Sequence, residues 1–395
     1  MSATLDEFRA ATRAWLEANC PASMRTPLPD NERVWGGRNA VFNNPDSKLW
    51  LARMAERGLT VPTWPREYGG AGLSADEAQV LREEMARLKC RQPLSSFGIW
   101  MLGPVLLKYG NEVQKREHLP KIARGEIRWC QGYSEPGAGS DLAALKTRCE
   151  DRGDYYLVNG QKIWTSYADQ ADWIFCLVRT DTSVKHGGIS FILFDMASEG
   201  VETRPITLIS GASVFCETFF TDVRVPKENL VGELNGGWTI AKELLQHERG
   251  MIAEIGRTIG GTVPPVDVIA KRYLDDGSGR IGDPLLRDAV TRHVMNDRAF
   301  GLTMRRAAQE SEAGMASGGV SSMFKYYGTE QNKAKFELIL KCAGVQALGW
   351  EGDGFSSEEL DICRTWLRSK GNSIEGGTSE IQLNVIAKRV LGLPD

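Results

Sequence analysis

Two segments of the chain have residue types that suit the binding of a polar, planar ligand. The first is SEPGAGSD, from Ser134 to Asp141, a glycine-rich turn whose backbone N–H groups can approach a ligand closely. The second is Trp164-Thr165-Ser166, in which an aromatic side chain can stack on a ring and two hydroxyls can hydrogen-bond to it. Taken singly, the first also fits a surface turn and the second a core tryptophan at the end of a strand.

The spacing of other reactive residues argues against several common chemistries. SEPGAGSD is followed by Leu142 where a dinucleotide-binding fingerprint needs Gly, and it lacks the Gly-Lys-Ser/Thr ending of a P-loop. His247-Glu248 resembles the start of a metalloprotease helix, but position 251 is Met, and no GxSxG elbow occurs. The eight cysteines form no CxxC pair, which argues against both a zinc site and a disulfide framework. We therefore expect no bound metal and a location in the reducing cytoplasm.

The composition is that of a globular protein with more than one core. A chain of 395 residues, 42% hydrophobic and 25% charged with a net charge of -3, predicts two or three domains and no nucleic-acid-binding surface. The longest apolar stretches, Ile174 to Val178 and Phe191 to Phe194, are too short to span a bilayer. The N-terminal segment has helical apolar spacing without the long apolar run of a signal peptide.

The hydrophobic period changes twice along the chain and predicts an α+β multidomain protein. Residues 1–125 have helical spacing, residues 126–234 have strand-like runs, and residues 235–395 return to helical spacing. We therefore expect an N-terminal α-helical domain, a middle β domain and a C-terminal helical bundle. Within the middle domain, Asn159-Gly160 between two β-prone runs predicts a hairpin turn. A ligand held where domains meet would suit this succession.

Together, and in this order and spacing, several segments resemble the acyl-CoA dehydrogenase family. They are WCQGYSEPGAGSDLAALKT, NGQKIWTS and GGTSEIQLNVIAKRVLGLP, with support from VPTWPREYGGAGL, FFTDVRVPKENLVGE and LLQHERG. The resemblance covers nearly the whole chain. It implies a homotetramer-type fold that binds FAD between the β domain and the C-terminal helices, and the α,β-dehydrogenation of an acyl-CoA to trans-2-enoyl-CoA with electron-transferring flavoprotein as acceptor.

The resemblance also assigns binding roles residue by residue. Ser140, Gln246 and Arg249 match positions that contact the acyl-CoA. The sequence departs from the family at Trp350, where Gly is usual, and in the loop around Arg280, where many relatives have an Arg and a Phe-Gly pair. The cofactor-binding positions implied are Gln131, Tyr133, Ser134, Trp164, Thr165, Ser166, Arg280, Gln346, Gly349, Thr378 and Glu380.

The position of the catalytic base is where the sequence departs most informatively from the family pattern. The reaction needs a carboxylate in a dry pocket, where burial raises its pKa toward the working pH. Most relatives have that Glu directly before the Gly-Thr of the C-terminal motif, but here Gly376 occupies the position. A minority branch places the base on the first long helix of the C-terminal domain, before an Arg, and Glu248-Arg249 stands there. We therefore predict Glu248 as the base, with Glu375 as its rival, and the Gly376 N–H as a donor to the thioester oxygen.

Two alternatives stay open at this point. The missing Glu at position 376 also fits a flavin-binding subunit of a heteromer whose own site is not catalytic, as in some relatives that act on steroid side chains. Since a fold does not fix the chemistry, a flavin enzyme that performs another acyl-CoA elimination is the other alternative. The sequence leaves open both the acyl chain and the choice between a homotetramer and a heteromer.

Overall fold

The computed structural model describes residues 4–245, 263–312, 315 and 319–394. These fall into two compact units: the first takes its residues from Met1–Ile206 and Val214–Leu244, the second from Thr207–Ser213 and Leu245–Asp395. The succession of helices, a β-sheet and helices confirms the predicted α+β architecture. Gln246, Glu248 and Arg249 lie outside the described residues.

The first unit begins with short helices whose starts are set by side-chain caps. The side chains of Thr4, Ser74 and Asn111 each accept a hydrogen bond from the backbone N–H three positions on. The side chain of that third residue in turn accepts a bond from the cap backbone N–H. Leu16, Trp50 and Leu81, from the first three of these helices, belong to one buried cluster. The helices are α1 (Leu5–Asn19), α2 (Pro45–Glu56), α3 (Ala75–Arg87), α4 (Gly103–Tyr109) and α5 (Glu112–Ala123).

The β-sheet completes the first unit. Its strands are β1 (Trp129–Gly132), β2 (Arg148–Asp151), β3 (Tyr155–Ser166), β4 (Trp173–Arg179), β5 (Ile189–Asp195), β6 (Val201–Ile206), β7 (Phe215–Pro226) and β8 (Leu230–Val231). The strand order in the sheet is β6-β7-β3-β2-β4-β5-β8, and β1 pairs with β4 in parallel. The strands β4 and β5 are almost wholly buried, which explains why their sequences are continuous apolar runs. A helix α6 follows, over residues 237–245 of the described chain.

The predicted hairpin turn at Asn159-Gly160 is wrong. Strand β3 runs straight through both residues, with a register shift against β7 at that point. Gly160 fits this bulge because a Cβ there would lie 2.7 Å from Thr147 Oγ1, and the Asn159 side chain accepts a bond from the Asp222 N–H at 2.8 Å. The chain reverses instead at residues 152–154, between β2 and β3.

The second unit is helical. Its core includes Ile269 and Phe336, both fully buried. Its helices are α7 (Val266–Leu274), α8 (Pro284–Glu312), α9 (Val320–Ala343), α10 (Ser357–Ser369) and α11 (Ser379–Val385). None of the described helices is long and apolar enough to cross a membrane.

Candidate functional site

In the first unit, the end of β3 presents the predicted ring-binding residues. Trp164 has a left-handed backbone, with φ of 61°, and the residue is 52% exposed although it stands in a strand. A register shift between Lys162 and Thr165 accompanies this conformation. Because an exposed tryptophan in a strained backbone is unusual, the arrangement indicates a binding surface.

Thr165 and Ser134 lie against the same strand end. The Thr165 side chain is fully buried, and its hydroxyl has no hydrogen-bond partner among the described residues. The Ser134 carbonyl accepts a 2.9 Å bond from the Ile163 N–H, which fixes the glycine-rich turn against β3. Tyr133, also buried, directly precedes Ser134, and the half-buried Ser166 ends β3. The structure therefore brings these predicted residues together.

A buried ion pair that the sequence reasoning missed supports this turn. Lys162 is fully buried, and its Nζ atom lies 2.8 Å from Glu135 Oε1 and donates to the Tyr133 carbonyl at 3.1 Å. Glu135 also accepts bonds from the Thr147 backbone N–H at 2.9 Å and from the Thr147 hydroxyl at 2.6 Å. Burial opposes ionisation of Glu135, but the Lys162 charge and these bonds hold the pKa of the carboxyl below its ordinary value. The alternation of β3 could have revealed Lys162, since it falls on the buried face.

The rest of the glycine-rich turn is open. Ser140 is exposed, and a Cβ placed on Gly137 or Gly139 would meet nothing within 4 Å. Gln131 is half-buried in β1. The two glycines are thus not required by packing within the described chain, which fits a role in close approach to a ligand.

In the second unit, the predicted residues Gly376, Thr378 and Glu380 lie on one loop and the start of α11. Gly376 and Gly377 have left-handed backbones, with φ of 65° and 89°. Thr378 caps α11, and the exposed Glu380 has its pKa lowered by backbone and Thr378 hydrogen bonds at that helix start. Across the residues the structure describes, the N–H groups of Gly376 and Gly377 find no acceptor. Such consecutive N–H groups can bind a developing negative charge.

Glu375, the rival base, is already engaged. Arg368 Nη2 lies 2.7 Å from its Oε2, and Asn372 Nδ2 lies 2.5 Å from its Oε1. Together the two donors bond to both carboxylate oxygens and fix the orientation of the group. The geometry therefore favours a structural carboxylate over a proton acceptor aimed at a substrate.

The remaining predicted cofactor residues stand apart in this unit. Arg280 is exposed in a turn after α7, where its carbonyl accepts from the Asp276 N–H at 3.0 Å. Gln346 is half-buried in a 3-10 turn after α9, and Gly349 is packed so closely that a Cβ would lie 2.5 Å from the Phe355 ring. Trp350, which stands where relatives usually have Gly, stacks with Arg364, whose Cζ lies 5.0 Å from the ring centre.

A cleft of about 630 Å³ lies elsewhere, among the N-terminal helices. Phe8, Trp15, Arg57 and Glu77 are among its lining residues, and Glu77 is the capping partner of Ser74. None of the predicted site residues lines this cleft. No group of metal-ligating side chains is found in the residues described.

Comparison with known proteins assigns the whole chain to one family. Family models for the N-terminal, middle and C-terminal domains of acyl-CoA dehydrogenase match residues 2–126, 130–223 and 235–391. The chain belongs to the acyl-CoA dehydrogenase family, whose members are oxidoreductases that act on acyl-CoA with flavin.

Relatives and solved structures agree over the full length. The acyl-CoA dehydrogenase IpdE1 of Mycobacterium tuberculosis is 35% identical, covering 99% of this chain and 98% of that protein. The solved structure of the Tcur3481-Tcur3483 steroid ACAD has a TM-score of 0.77 at 31% identity and covers 100% of this chain and 98% of its own. The ChsE4-ChsE5 complex from Mycobacterium tuberculosis has a TM-score of 0.73 at 30% identity, covering 100% and 99%.

Proposed function

We propose that this chain dehydrogenates an acyl-CoA thioester to trans-2-enoyl-CoA, with FAD as cofactor and Glu248 as the base. The observation that carries the proposal is the loop at Gly376. It offers unbonded N–H groups and no side chain, while its neighbour Glu375 is held by Arg368 and Asn372. The proton acceptor then has to come from another element, and Glu248 is the carboxylate that the sequence offers.

The residues at the end of β3 fit a flavin. The buried hydroxyl of Thr165 lacks a partner among the described residues, and a ring could stack beside the exposed Trp164. Bound FAD would accept the hydride that leaves the β-carbon of the substrate. In this proposal Gln131, Tyr133, Ser134 and Ser166 bind the flavin from the first unit. From the second unit, the proposed contacts are Arg280, Gln346, Gly349, Thr378 and Glu380.

The proposed chemistry of the chain's own groups is a proton transfer beside an anion-stabilising donor. Glu248 takes the α-proton, and the Gly376 N–H donates to the thioester oxygen as negative charge develops there. A preorganised donor of this kind is worth about 3 to 4 kcal/mol of transition-state stabilisation. Ser140, Gln246 and Arg249 bind the CoA portion and keep the α-carbon within reach of Glu248.

The proposal includes partners of three kinds. The acyl-CoA is the substrate, electron-transferring flavoprotein is the electron acceptor, and the assembly is a homotetramer or a heteromer in the cytoplasm. Several large apolar side chains of the second unit are exposed, and an assembly that covers them would remove their surface from water. They include Leu285, Met295, Leu302, Val345, Leu348, Ile374 and Leu391.

A steroid-like or branched acyl group is the substrate class we favour. The matched Tcur3481-Tcur3483 protein is a steroid ACAD, and the matched chain is 31% identical to this one over almost the whole length. A panel of acyl-CoAs with linear, branched and steroid side chains tests both class and reaction. We expect anaerobic bleaching of bound flavin by at least one bulky member, with enoyl-CoA as product.

The second candidate is a non-catalytic subunit of a heteromer. Gly376 and the resemblance to the ChsE4-ChsE5 complex favour it. This candidate would be supported if the purified chain binds FAD but no acyl-CoA bleaches the bound flavin until a related second chain is added. Bleaching by the chain alone supports the enzyme.

A further inference from the structure

A layer of buried polar side chains joins helix α9 to the loop that carries Gly376. On α9 the buried polar residues recur at helical spacing, so they form one face of the helix. Such a face has to satisfy its hydrogen bonds within the protein. Its members are Ser322, Lys325, Thr329 and Asn332.

A continuous chain of hydrogen bonds leads from this face to the glycine pair. Asn332 Nδ2 donates to Asn372 Oδ1 at 2.8 Å, and Asn372 Nδ2 donates to Glu375 Oε1 at 2.5 Å. The other oxygen of Glu375 accepts from Arg368 Nη2 at 2.7 Å. Asn332 and Asn372 are buried, so the amide orientations are fixed from α9 outward. Glu375 is the last side chain in this series before Gly376.

The far side of the glycine pair is fixed independently. Gln382 is fully buried in α11, and its Nε2 donates to the Gly376 carbonyl at 3.1 Å. The Gly376 carbonyl is thus held from α11 while Glu375 is held from α10 and the segment after it. Two left-handed glycines between these anchors would otherwise have wide conformational freedom.

Lys325 adds a charge to this layer. Its side chain is fully buried, and its Nζ atom has no hydrogen-bond partner among the described residues. Burial lowers the pKa of Lys325, and Glu375 is the first of the carboxylates that oppose this effect. Glu375 therefore interacts with two basic groups, Arg368 directly and Lys325 at longer range.

We propose that Glu375 is a positioning residue: held by Arg368 and Asn372, it fixes the backbone so that the Gly376 N–H meets the thioester oxygen. The inference rests on the proposed function, because it needs an acyl thioester at this loop. It assigns Glu375 no proton transfer. Its effect reaches the substrate only through the Gly376 backbone.

The test compares Glu375→Gln and Arg368→Met with Glu337→Gln as a matched control. Glu337 lies on α9 and accepts bonds from Trp366 and Lys370, outside the series that leads to Gly376. The readout is the infrared carbonyl band of bound enoyl-CoA labelled with ¹³C at the thioester carbon, since a hydrogen bond to that oxygen lowers its stretching frequency. Flavin content and the midpoint of thermal unfolding show whether each variant is folded.

We expect the wild-type and Glu337→Gln proteins to lower the carbonyl frequency equally. Glu375→Gln and Arg368→Met should lose most of that shift and about 10-fold to 100-fold in the rate of flavin reduction, less than a deleted oxyanion donor costs. The double variant should lose little more than either single one, because both act through the same contact.

Three results would overturn the inference. A normal carbonyl shift with a lost reaction in Glu375→Gln would make Glu375 the base, and an unchanged shift and rate would remove any role in positioning. If Glu337→Gln loses as much of the carbonyl shift and of the reduction rate as Glu375→Gln, any change of charge near α9 would be enough to cause these losses. Failure of the wild type itself to be reduced by any acyl-CoA would instead count against the proposed function.

Discussion

The Nζ atom of Lys162 lies 2.8 Å from Oε1 of Glu135, the second residue of the glycine-rich turn, and both side chains are buried. Buried ion pairs are not in themselves strongly stabilising, because desolvation of both charges offsets their attraction. What this pair achieves is orientation. Lys162 bonds to the Tyr133 carbonyl and Glu135 to Thr147, so the turn is tied to β3 and to the start of β2.

We predict that Lys162→Met destabilises the protein by about 3 to 5 kcal/mol, because it leaves the Glu135 carboxylate buried without its counter-charge. FAD content should fall with it, since the turn at Ser134 loses its support. The double variant Lys162→Met/Glu135→Gln should recover a large part of the stability. Urea unfolding of the three proteins and their flavin-to-protein ratios measure this. A double variant that is less stable than the single one would contradict the argument.

A second prediction concerns His118 and pH. Its ring is buried between Trp129 and Trp173, with centroid distances of 5.2 and 5.1 Å, and burial lowers its pKa to about 4. The unfolded chain takes up this proton near pH 6.5, but the folded chain does so only near pH 4. The contribution of the neutral His118 ring to the free energy of unfolding is therefore fully present above pH 6.5 and is lost as the pH falls toward 4.

Between pH 7.5 and pH 5 the loss from His118 should be about 2 kcal/mol. His118→Phe keeps an aromatic ring between the tryptophans but removes the titration, so the variant should lose correspondingly less stability over this interval. Chemical unfolding of both proteins at the two pH values is the measurement. Parallel pH dependence in wild type and variant would show that His118 does not titrate in this way.

A third prediction concerns the glycine pair. In Gly377→Ala the new Cβ would lie 2.6 Å from Gln382 Nε2, in a backbone with φ of 89° that alanine rarely adopts. Strain of this kind costs about 1 to 3 kcal/mol. The loop should shift and release the Gln382 contacts, so substrate-driven flavin reduction should slow by more than 10-fold, roughly the equivalent of that energy. Gly354→Ala, where a Cβ meets nothing within 4 Å, is the control and should behave as wild type.

The sequence predicts those parts of the structure that local patterns determine. The helices α3 and α8 lie in the ranges with helical spacing, and the strands β4 and β5 lie in the range with strand-like runs. The hairpin prediction at Asn159-Gly160 is wrong because it depends on those two residues alone. The observed bulge depends on contacts with Thr147 and Asp222, which are distant in sequence. The edge strand β6 has a mostly polar sequence, VETRPI, so no apolar run marks it.

In the candidate site, too, local patterns indicate some residues while others depend on tertiary contacts. Residues in contiguous motifs, such as Trp164 and Thr378, can be predicted as site residues from their neighbours in the chain. The contacts of Glu375 could not, because Asn332 and Arg368 reach it through tertiary packing rather than local spacing. Lys162 and Glu135 are 27 residues apart, and only the fold makes them partners.

The last prediction concerns Glu248. If its carboxylate is the base, Glu248→Gln keeps size and hydrogen bonding but removes proton acceptance. Flavin should stay bound, while its anaerobic reduction by an accepted acyl-CoA slows by about 100-fold to 10,000-fold. Because Glu375 acts only on the position of the loop in our proposal, Glu375→Gln should cost much less, about 10-fold to 100-fold.

The companion variant moves the carboxylate to the loop. Gly376→Glu combined with Glu248→Thr should regain part of the activity, because both positions are proposed to serve the same α-carbon. The residue at 376 has a φ of 65°, so the new side chain also introduces backbone strain, and recovery should be partial. Stopped-flow reduction traces of the wild type and the three variants, normalised to flavin content, decide the matter. If Glu248→Gln is reduced as fast as the wild type while Glu375→Gln is inert, the loop carboxylate is the base and Glu248 is not.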